Sequence, residues 1–165
     1  MRIVELSPIL TIILDVAVWF FIHIGCTILS LKLPDSVFEN DRWIYTTRKW
    51  ERGGAIWQQI FRVRRWKNYL PDGAAVFSRG VFSKGFRKKY MQSRDKAYFQ
   101  TFVRESRRAE LTHWMIMLPA PFFFLWNPFE IGWIMIFYAI LANGPCIIAQ
   151  RYNRPRFTRI MADRV

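Results

Sequence analysis

The feature that most constrains this chain is a set of long apolar runs that carry almost no charge. Residues 8–31 read PILTIILDVAVWFFIHIGCTILSL, an apolar run in which the ionisable side chains are Asp15 and His23. An α-helix rises about 1.5 Å per residue, so this run reaches roughly 36 Å and is long enough to cross a hydrocarbon core of about 30 Å. We therefore expect a transmembrane helix over residues 8–31.

A cleaved signal is the alternative interpretation of the same run. The apolar core of a signal peptide is shorter and contains no acid, and Asp15 departs from that pattern. The stretch from Ile22 to Cys26 has a faint likeness to a lipoprotein cleavage site, but His23 stands where an aliphatic residue is expected. We therefore expect the run to be retained as a first transmembrane helix.

Two further apolar runs follow in the second half of the chain. Residues 112–126 (THWMIMLPAPFFFLW) contain two prolines and are too few for a straight crossing. Residues 131–149 form the next run, in which Asn143-Gly144-Pro145 predicts a break. The pair predicts a helical hairpin over residues 112–149 that enters the membrane and returns, with a first limb that is kinked or re-entrant.

Basic residues are concentrated outside the apolar runs. The whole chain has 25 Lys and Arg against 12 Asp and Glu, a net charge of +13, and residues 32–110 carry 19 of the basic and 8 of the acidic residues. Basic residues next to a span favour the cytoplasmic side. We therefore expect residues 32–110 to be a cytoplasmic region, residues 150–165 to be a cytoplasmic tail, and the N-terminus to lie outside.

These features together predict a single membrane domain over residues 1–165. The expected class is an all-α integral membrane protein, with about three transmembrane or re-entrant helices plus interfacial amphipathic helices. The expected location is the cell (plasma) membrane, where the protein is multi-pass and its C-terminus is cytoplasmic.

Residues 50–67 read WERGGAIWQQIFRVRRWK and mix aromatic rings with cations. Their apolar positions recur at three- and four-residue steps, which is typical of a helix lying in the membrane plane, and Gly53-Gly54 predicts its start or a bend. Nucleic-acid binding is the alternative for so basic a region. We expect membrane lipids and not nucleic acid as partners, because no nucleic-acid-binding motif is present and apolar runs flank the region.

A candidate for catalysis lies just before the hairpin, in RRAELTHW. Glu110 and His113 are three residues apart and share one face of a helix. A carboxylate placed there can orient the imidazole and raise its basicity, which is what a general base needs. A paired or capped interfacial histidine with no chemical role is the structural alternative.

A second polar cluster ends the hairpin, in NGPCIIAQRYNRPR. Its amides and arginines form a dense array of donors that suits a phosphate, a carboxylate or a developing oxyanion. The arginines alone also fit an ordinary cytoplasmic stop after a span.

Other standard chemistry is missing from the sequence. There is no G-x-S-x-G, no Walker loop and no G-x-G-x-x-G. The chain has two histidines, and its two cysteines, Cys26 and Cys146, lie inside apolar runs. We therefore expect neither a metal site nor a disulfide.

Three segments carry a resemblance to a known family: RRWKNYLPDG at residues 64–73, RRAELTHW at 107–114 and ANGPCIIAQRYNRPR at 142–156. They closely resemble the glycosyl-4,4'-diaponeurosporenoate acyltransferases, small membrane enzymes of carotenoid pathways, and the resemblance covers nearly the whole chain. It implies transfer of a fatty acyl group to a sugar hydroxyl of a glycosylated carotenoid acid, the last step to a staphyloxanthin-type pigment.

The resemblance also implies the partners. The acyl donor is expected to be acyl-CoA or an acyl carrier protein, used as a substrate, and no cofactor is expected. Other enzymes of the carotenoid pathway are expected partners in the membrane.

Within this reaction we assign roles from chemistry and position. A sugar hydroxyl is a poor nucleophile near neutral pH, so we expect His113 to take its proton and Glu110 to orient the ring. The residues expected to stabilise the oxyanion or bind substrate are Asn143, Gln150, Arg151 and Asn153. The residues expected to bind phosphates of the acyl donor are Arg154, Arg156, Lys67 and Arg65.

Asp72 in LPDG is an alternative acid or base, although an Asp-Gly pair more often forms a turn. Two other functions remain open from the sequence. One is a non-catalytic membrane scaffold for carotenoid or glycolipid enzymes. The other is a different isoprenoid-lipid-modifying enzyme that uses a soluble cofactor.

Overall fold

The computed structural model describes residues 3–70 and 96–163, and every regular element within these ranges is helical. The all-α prediction is confirmed for this part of the chain. The α-helices are α1 Pro8–Lys32, α2 Ser36–Glu39, α3 Ala55–Phe61, α4 Val63–Trp66, α5 Lys96–Met117 and α6 Phe129–Ala162. Short 3-10 helices cover Lys49–Gly54, Lys67–Tyr69 and Ala120–Leu125.

Two helices of the described ranges, α1 and α6, are long and apolar enough to cross a membrane. The Ser7 hydroxyl caps α1 by accepting from the backbone N–H of Leu10 at 3.4 Å, and Pro8 occupies the first turn, where its missing N–H costs nothing. The helix ends at Lys32, because the proline at position 34 disfavours helical backbone at Leu33.

The first limb of the expected hairpin is not one straight helix. α5 ends at Met117, and a separate 3-10 helix, Ala120–Leu125, follows Pro119. Pro119 and Pro121 lack the N–H groups that would continue α5. The limb is therefore kinked, and its residues do not form a third helix of membrane-crossing length.

The predicted break at Asn143-Gly144-Pro145 is wrong. α6 runs without interruption through these residues and past residue 149, so most of the expected tail is also helical. A proline inside a helix removes one backbone hydrogen bond, and neighbouring packing can hold the helix together across that gap. Here the side-chain amide of Asn143 adds a hydrogen bond within the helix, because it donates to the backbone oxygen of Ala139 at 3.0 Å.

The chain divides into two compact units. Unit 1 comprises Met1–Leu33 and Leu111–Pro145, and unit 2 comprises Pro34–Glu110 and Cys146–Val165. Unit 1 contains two basic and three acidic residues, whereas unit 2 contains 23 basic and nine acidic residues. The division of the fold therefore follows the segregation of charge along the sequence.

Unit 1 has an apolar core around Trp19. The indole stacks on Phe123 with 4.7 Å between ring centroids, and its N–H points at the Met135 sulfur at 3.3 Å. Elsewhere on α1, Ile12, Val16 and Phe20 are 58–66% exposed. A broad apolar surface of this kind is typical of contact with lipid or a partner.

Unit 2 has a small core of Val63, Ala149 and Tyr152. The expected interfacial helix over residues 50–67 is in fact a succession of short helices, separated where Arg52, Gly53, Gly54 and Arg62 adopt positive φ. α3 begins directly after Gly53-Gly54, as the glycine pair predicted. These changes of direction allow the segment to pack on the backbone of α6 within unit 2.

Candidate functional site

His113 on α5 and Asn143 on α6 form the polar pair of unit 1. The His113 Nδ1 and the Asn143 Oδ1 are 2.9 Å apart, and Asn143 is 1% exposed. The amide of Asn143 donates to the Ala139 carbonyl at 3.0 Å, and a carbonyl can only accept. The Oδ1 therefore faces the imidazole, and His113 must donate its Nδ1 proton to it.

This arrangement fixes the tautomer of His113. When Nδ1 carries the proton in the neutral ring, Nε2 carries the lone pair. A histidine whose ring is oriented by a buried amide is a recurring form of general base, with the amide in place of the more common carboxylate. The pair can therefore accept a proton at a defined atom.

Next to this pair in sequence, Thr112 donates its hydroxyl to the Ser30 hydroxyl at 2.8 Å. Thr112 is on α5 and Ser30 is on α1, so this contact joins two helices of unit 1. It adds to the contacts that hold this turn of α5 in position.

Glu110, which was expected to orient His113, takes part in ion pairs within unit 2. Its two carboxylate oxygens accept hydrogen bonds from Arg151 at 2.6 Å and from Arg154 at 2.5 Å, and Glu110 is fully buried. A hydrogen bond between an arginine and a carboxylate is about twice as strong as a neutral one, and it outweighs the weak local preference for an i,i+3 neighbour. The Glu110 carboxylate is thus held by two arginines, and the side chain hydrogen-bonded to the His113 Nδ1 is Asn143.

Arg151 is the centre of a buried ionic network in unit 2. Its five N–H groups donate to Glu51 twice, to Glu110, and to the backbone oxygens of Ile44 and Thr46. A guanidinium has five donors, so none remains for a substrate. Arg151 was expected to stabilise an oxyanion, but its contacts indicate a structural role.

Glu51 completes this network, and the sequence interpretation missed it. Its oxygens also accept from the backbone N–H of Arg48 at 2.8 Å and from the Trp57 indole at 2.9 Å. Burial acts to raise the pKa of Glu51, but the hydrogen bonds from Arg151, Arg48 and Trp57 outweigh it, and the pKa lies below its ordinary value. Nothing in WERGG signals a partner 100 residues away.

Arg154 is also committed to the network. Besides Glu110, it donates to the backbone oxygen of Tyr45 at 2.6 Å and is 2% exposed. It was expected to bind phosphate, and the structure instead places it in a buried ion pair. Arg65, from the same expected set, is exposed on α4.

The other two members of that set do come together, around Tyr152. Arg156 lies over the phenol ring with its guanidinium carbon 4.0 Å from the centroid, and the Lys67 ammonium is 5.4 Å from the same centroid. Arg64, which the sequence interpretation passed over, donates to the Tyr152 hydroxyl at 2.8 Å. Lys67 also donates to the Asn153 side chain at 2.9 Å. We call Arg64, Lys67, Arg156 and Tyr152 the cation cluster.

Two further expected residues have different outcomes. Gln150 is in unit 2, where its Oε1 is buried and accepts no hydrogen bond from residues 3–70 or 96–163. Asp72, the alternative acid or base, lies outside the described residues.

A second buried polar group in unit 1 involves Asp15, which the sequence marked only as an interruption of the first apolar run. Its carboxylate accepts from the Trp126 indole at 2.8 Å and from the Asn127 amide at 2.7 Å. These bonds explain how an acid is accommodated in an apolar helix, because a buried carboxylate needs donors.

Comparisons with known proteins point to one family. The family model described as glycosyl-4,4'-diaponeurosporenoate acyltransferase matches residues 41–163. A protein of that name from Staphylococcus aureus (strain bovine RF122 / ET3-1) is 32% identical over 143 residues, covering 87% of this chain and 83% of the relative. Another from Staphylococcus haemolyticus (strain JCSC1435) is 36% identical over 140 residues, covering 85% and 78%. No solved structure matches the chain.

Proposed function

Because the chain belongs to the glycosyl-4,4'-diaponeurosporenoate acyltransferase family, we propose that it transfers a fatty acyl group to a sugar hydroxyl of a glycosylated carotenoid acid. The family makes the chain an acyltransferase of a staphyloxanthin-type pathway and argues against the scaffold and cofactor-dependent alternatives. The acyl donor in this proposal is a thioester, and the product is a sugar ester.

The proposed base is the Nε2 of His113. The observation that carries this assignment is the short chain of hydrogen bonds from His113 Nδ1 to Asn143 and from Asn143 to Ala139. It holds the imidazole in the tautomer that can accept a proton at Nε2.

The reaction then follows from ordinary acyl-transfer chemistry. The hydroxyl oxygen attacks the thioester carbonyl carbon as Nε2 takes the hydroxyl proton, and a tetrahedral oxyanion forms. When the oxyanion collapses, the carbon–sulfur bond breaks and the thiolate leaves. His113 returns its proton to the sulfur, so the ring is neutral again at the end of the cycle.

The oxyanion requires donors that are not already used. Arg151 has none left, and one amide N–H of Asn143 is used by Ala139. Among the residues expected from the sequence, this leaves the second amide N–H of Asn143 and the side-chain amides of Gln150 and Asn153 as the proposed sources. Their individual replacement by alanine tests which of them lowers kcat.

Both reactants carry long apolar chains, and this supports a location at the membrane. We place the protein in the cell membrane as a multi-pass protein with a cytoplasmic C-terminus, where α1 and α6 provide the apolar length for crossing. The reacting groups would then lie at the cytoplasmic surface.

The test of the base is the His113→Ala variant of the full chain, purified in detergent. We expect kcat for release of free thiol from the acyl donor in the presence of acceptor to fall by about 10²–10⁴-fold. Asn143→Leu should lower kcat and shift its pH profile, because the ring loses its orienting acceptor while Nε2 remains.

His23→Ala is the matched control, since it removes the other histidine of the chain, which lies in α1. It should retain wild-type kcat. Circular dichroism must show that all three variants keep their helices. Wild-type turnover by a folded His113→Ala protein would contradict the assignment of the base.

A further inference from the structure

The cation cluster of unit 2 has an unusual balance of charge. Arg64 and Arg156 both donate to the one hydroxyl of Tyr152, which is fully buried, and Lys67 lies beside the same ring. A phenol oxygen has two lone pairs, so these two arginines use it completely. Three positive charges therefore meet around a neutral acceptor.

No carboxylate in residues 3–70 or 96–163 forms an ion pair with any of these three cations. The buried arginines of the same unit differ in this respect, because Arg107 pairs with Asp41 and Arg154 pairs with Glu110. Nearby cations without an anion repel one another. Consistent with this, burial and then the charges of Arg156 and Arg64 lower the pKa of Lys67 below its ordinary value.

The cluster also has donors left over. The two terminal nitrogens of Arg64 make no hydrogen bond within the described ranges, and Arg156 uses one of its nitrogens for Tyr152. Lys67 uses one of its three protons for Asn153. Arg64 is exposed and the other two cations are half-buried, so a ligand can approach from solvent.

The backbone holds Arg64 in this position at some cost. Arg62, between α3 and α4, has φ 51° and ψ 45°, a left-handed conformation that is unfavourable for a residue with a side chain. This turn places Val63 in the core against Ala149 and Tyr152, and Arg64 follows directly. The strained turn at Arg62 therefore comes just before Arg64, the third cation that contacts Tyr152.

We propose that the cation cluster binds the phosphate of the acyl donor, and that this donor is a coenzyme A thioester. The proposal rests on the acyltransferase function proposed above. A phosphate monoester carries a charge of about −1.5 to −2 near pH 7 and three acceptor oxygens, which suits three cations with unused donors. Phosphodiesters, as in the phosphopantetheine link of an acyl carrier protein or in phosphatidylglycerol, carry one charge and match the cluster less well.

The experiment measures the affinity of the purified full chain for coenzyme A, dephospho-coenzyme A and phosphatidylglycerol nanodiscs. We expect Arg64→Gln and Lys67→Gln each to weaken coenzyme A binding by about tenfold or more, because each removes a charge-assisted hydrogen bond. Lys49→Gln is the control: it removes one charge from an exposed residue of the same unit and should change the affinity by less than about twofold.

Equal coenzyme A binding by wild type and Arg64→Gln would overturn the proposal. So would binding that depends on Arg64 for phosphatidylglycerol nanodiscs but not for coenzyme A, since the cluster would then be a headgroup site. Dephospho-coenzyme A, which lacks the 3′-phosphate monoester of coenzyme A, should bind at least about tenfold more weakly. Retained affinity for it would overturn the assignment of the cluster to a phosphate monoester.

The His113→Ala variant separates this proposal from the acyltransferase function. It should bind coenzyme A like wild type while failing in acyl transfer. If wild type transfers no acyl group but the contrast between Arg64→Gln and Lys49→Gln in coenzyme A binding persists, the proposed function fails and the phosphate site stands.

Discussion

At the scale of single residues, the positions of the acidic side chains matter more for the buried charges than their number does. The chain has more than twice as many basic as acidic residues, yet its fully buried Glu51 and Glu110 are both used to neutralise arginines of α6. Removing one member of a buried ion pair costs about 3–5 kcal/mol, because the remaining charge has no partner. These two carboxylates therefore neutralise charge that would otherwise be buried without a partner in unit 2.

Glu51 gives a prediction about pH. Its pKa is below the ordinary value in the folded protein, so its ionised form stabilises the fold above about pH 4.5, and this stabilisation is lost as the pH falls through the lowered pKa. Glu51→Gln should destabilise the protein by about 3 kcal/mol near neutral pH. The difference between the thermal unfolding midpoints of wild type and Glu51→Gln, measured in detergent, should narrow below pH 4.5. A difference independent of pH would argue against an ionised Glu51.

At the scale of elements, one close approach determines how the segment before α3 packs in unit 2. A β-carbon on Gly54 would lie 2.9 Å from the backbone oxygen of Tyr152 and 3.1 Å from that of Arg151. The φ of Gly54 is +87°, which side chains rarely adopt. Since backbone atoms of α6 cannot move aside independently, only glycine fits here.

Gly54→Ala should therefore destabilise the protein by about 1–3 kcal/mol. Gly25→Ala is the matched control, because a β-carbon on Gly25 meets nothing within 4 Å and alanine favours the helix by about 0.5–1 kcal/mol. Chemical unfolding of the two variants in the same detergent compares them directly. Equal stability of Gly54→Ala and wild type would show that this close approach is absent.

At the scale of the whole molecule, the composition of each unit suits a different environment. Unit 1 is nearly free of charge and exposes apolar side chains on α1, whereas unit 2 holds 23 of the 25 basic residues. A unit of the first kind is stable when lipid covers it, and a basic unit is attracted to anionic headgroups. The proposed reaction, between a lipid-soluble acceptor and a phosphorylated donor, would use both properties.

Topology gives the prediction at this scale. The protein should remain with the membrane pellet after alkaline carbonate extraction, because apolar spans are not released by removing electrostatic contacts. A C-terminal green fluorescent protein fusion should fluoresce in cells, whereas a C-terminal alkaline phosphatase fusion should be inactive. Release into the carbonate supernatant would contradict membrane insertion, and an active phosphatase fusion would contradict a cytoplasmic C-terminus.

The sequence by itself determined the properties that depend on composition and local pattern. The apolar runs at residues 8–31 and 131–149 predicted long helices, and both α1 and α6 are present. The glycine pair before Ala55 predicted where α3 begins. These features follow from hydrophobicity, helix length and backbone freedom, which nearby residues fix without reference to the rest of the fold.

The tertiary structure alone decided which polar groups meet. His113 hydrogen-bonds to Asn143, 30 residues away, although Glu110 was the predicted partner, and Arg151 pairs with Glu51, 100 residues away. A local i,i+3 pair contributes a few tenths of a kcal/mol, whereas leaving a buried charge unpaired costs several, so long-range partners prevail. The same balance keeps α6 continuous through Pro145: one lost backbone hydrogen bond is small beside the packing of a long helix.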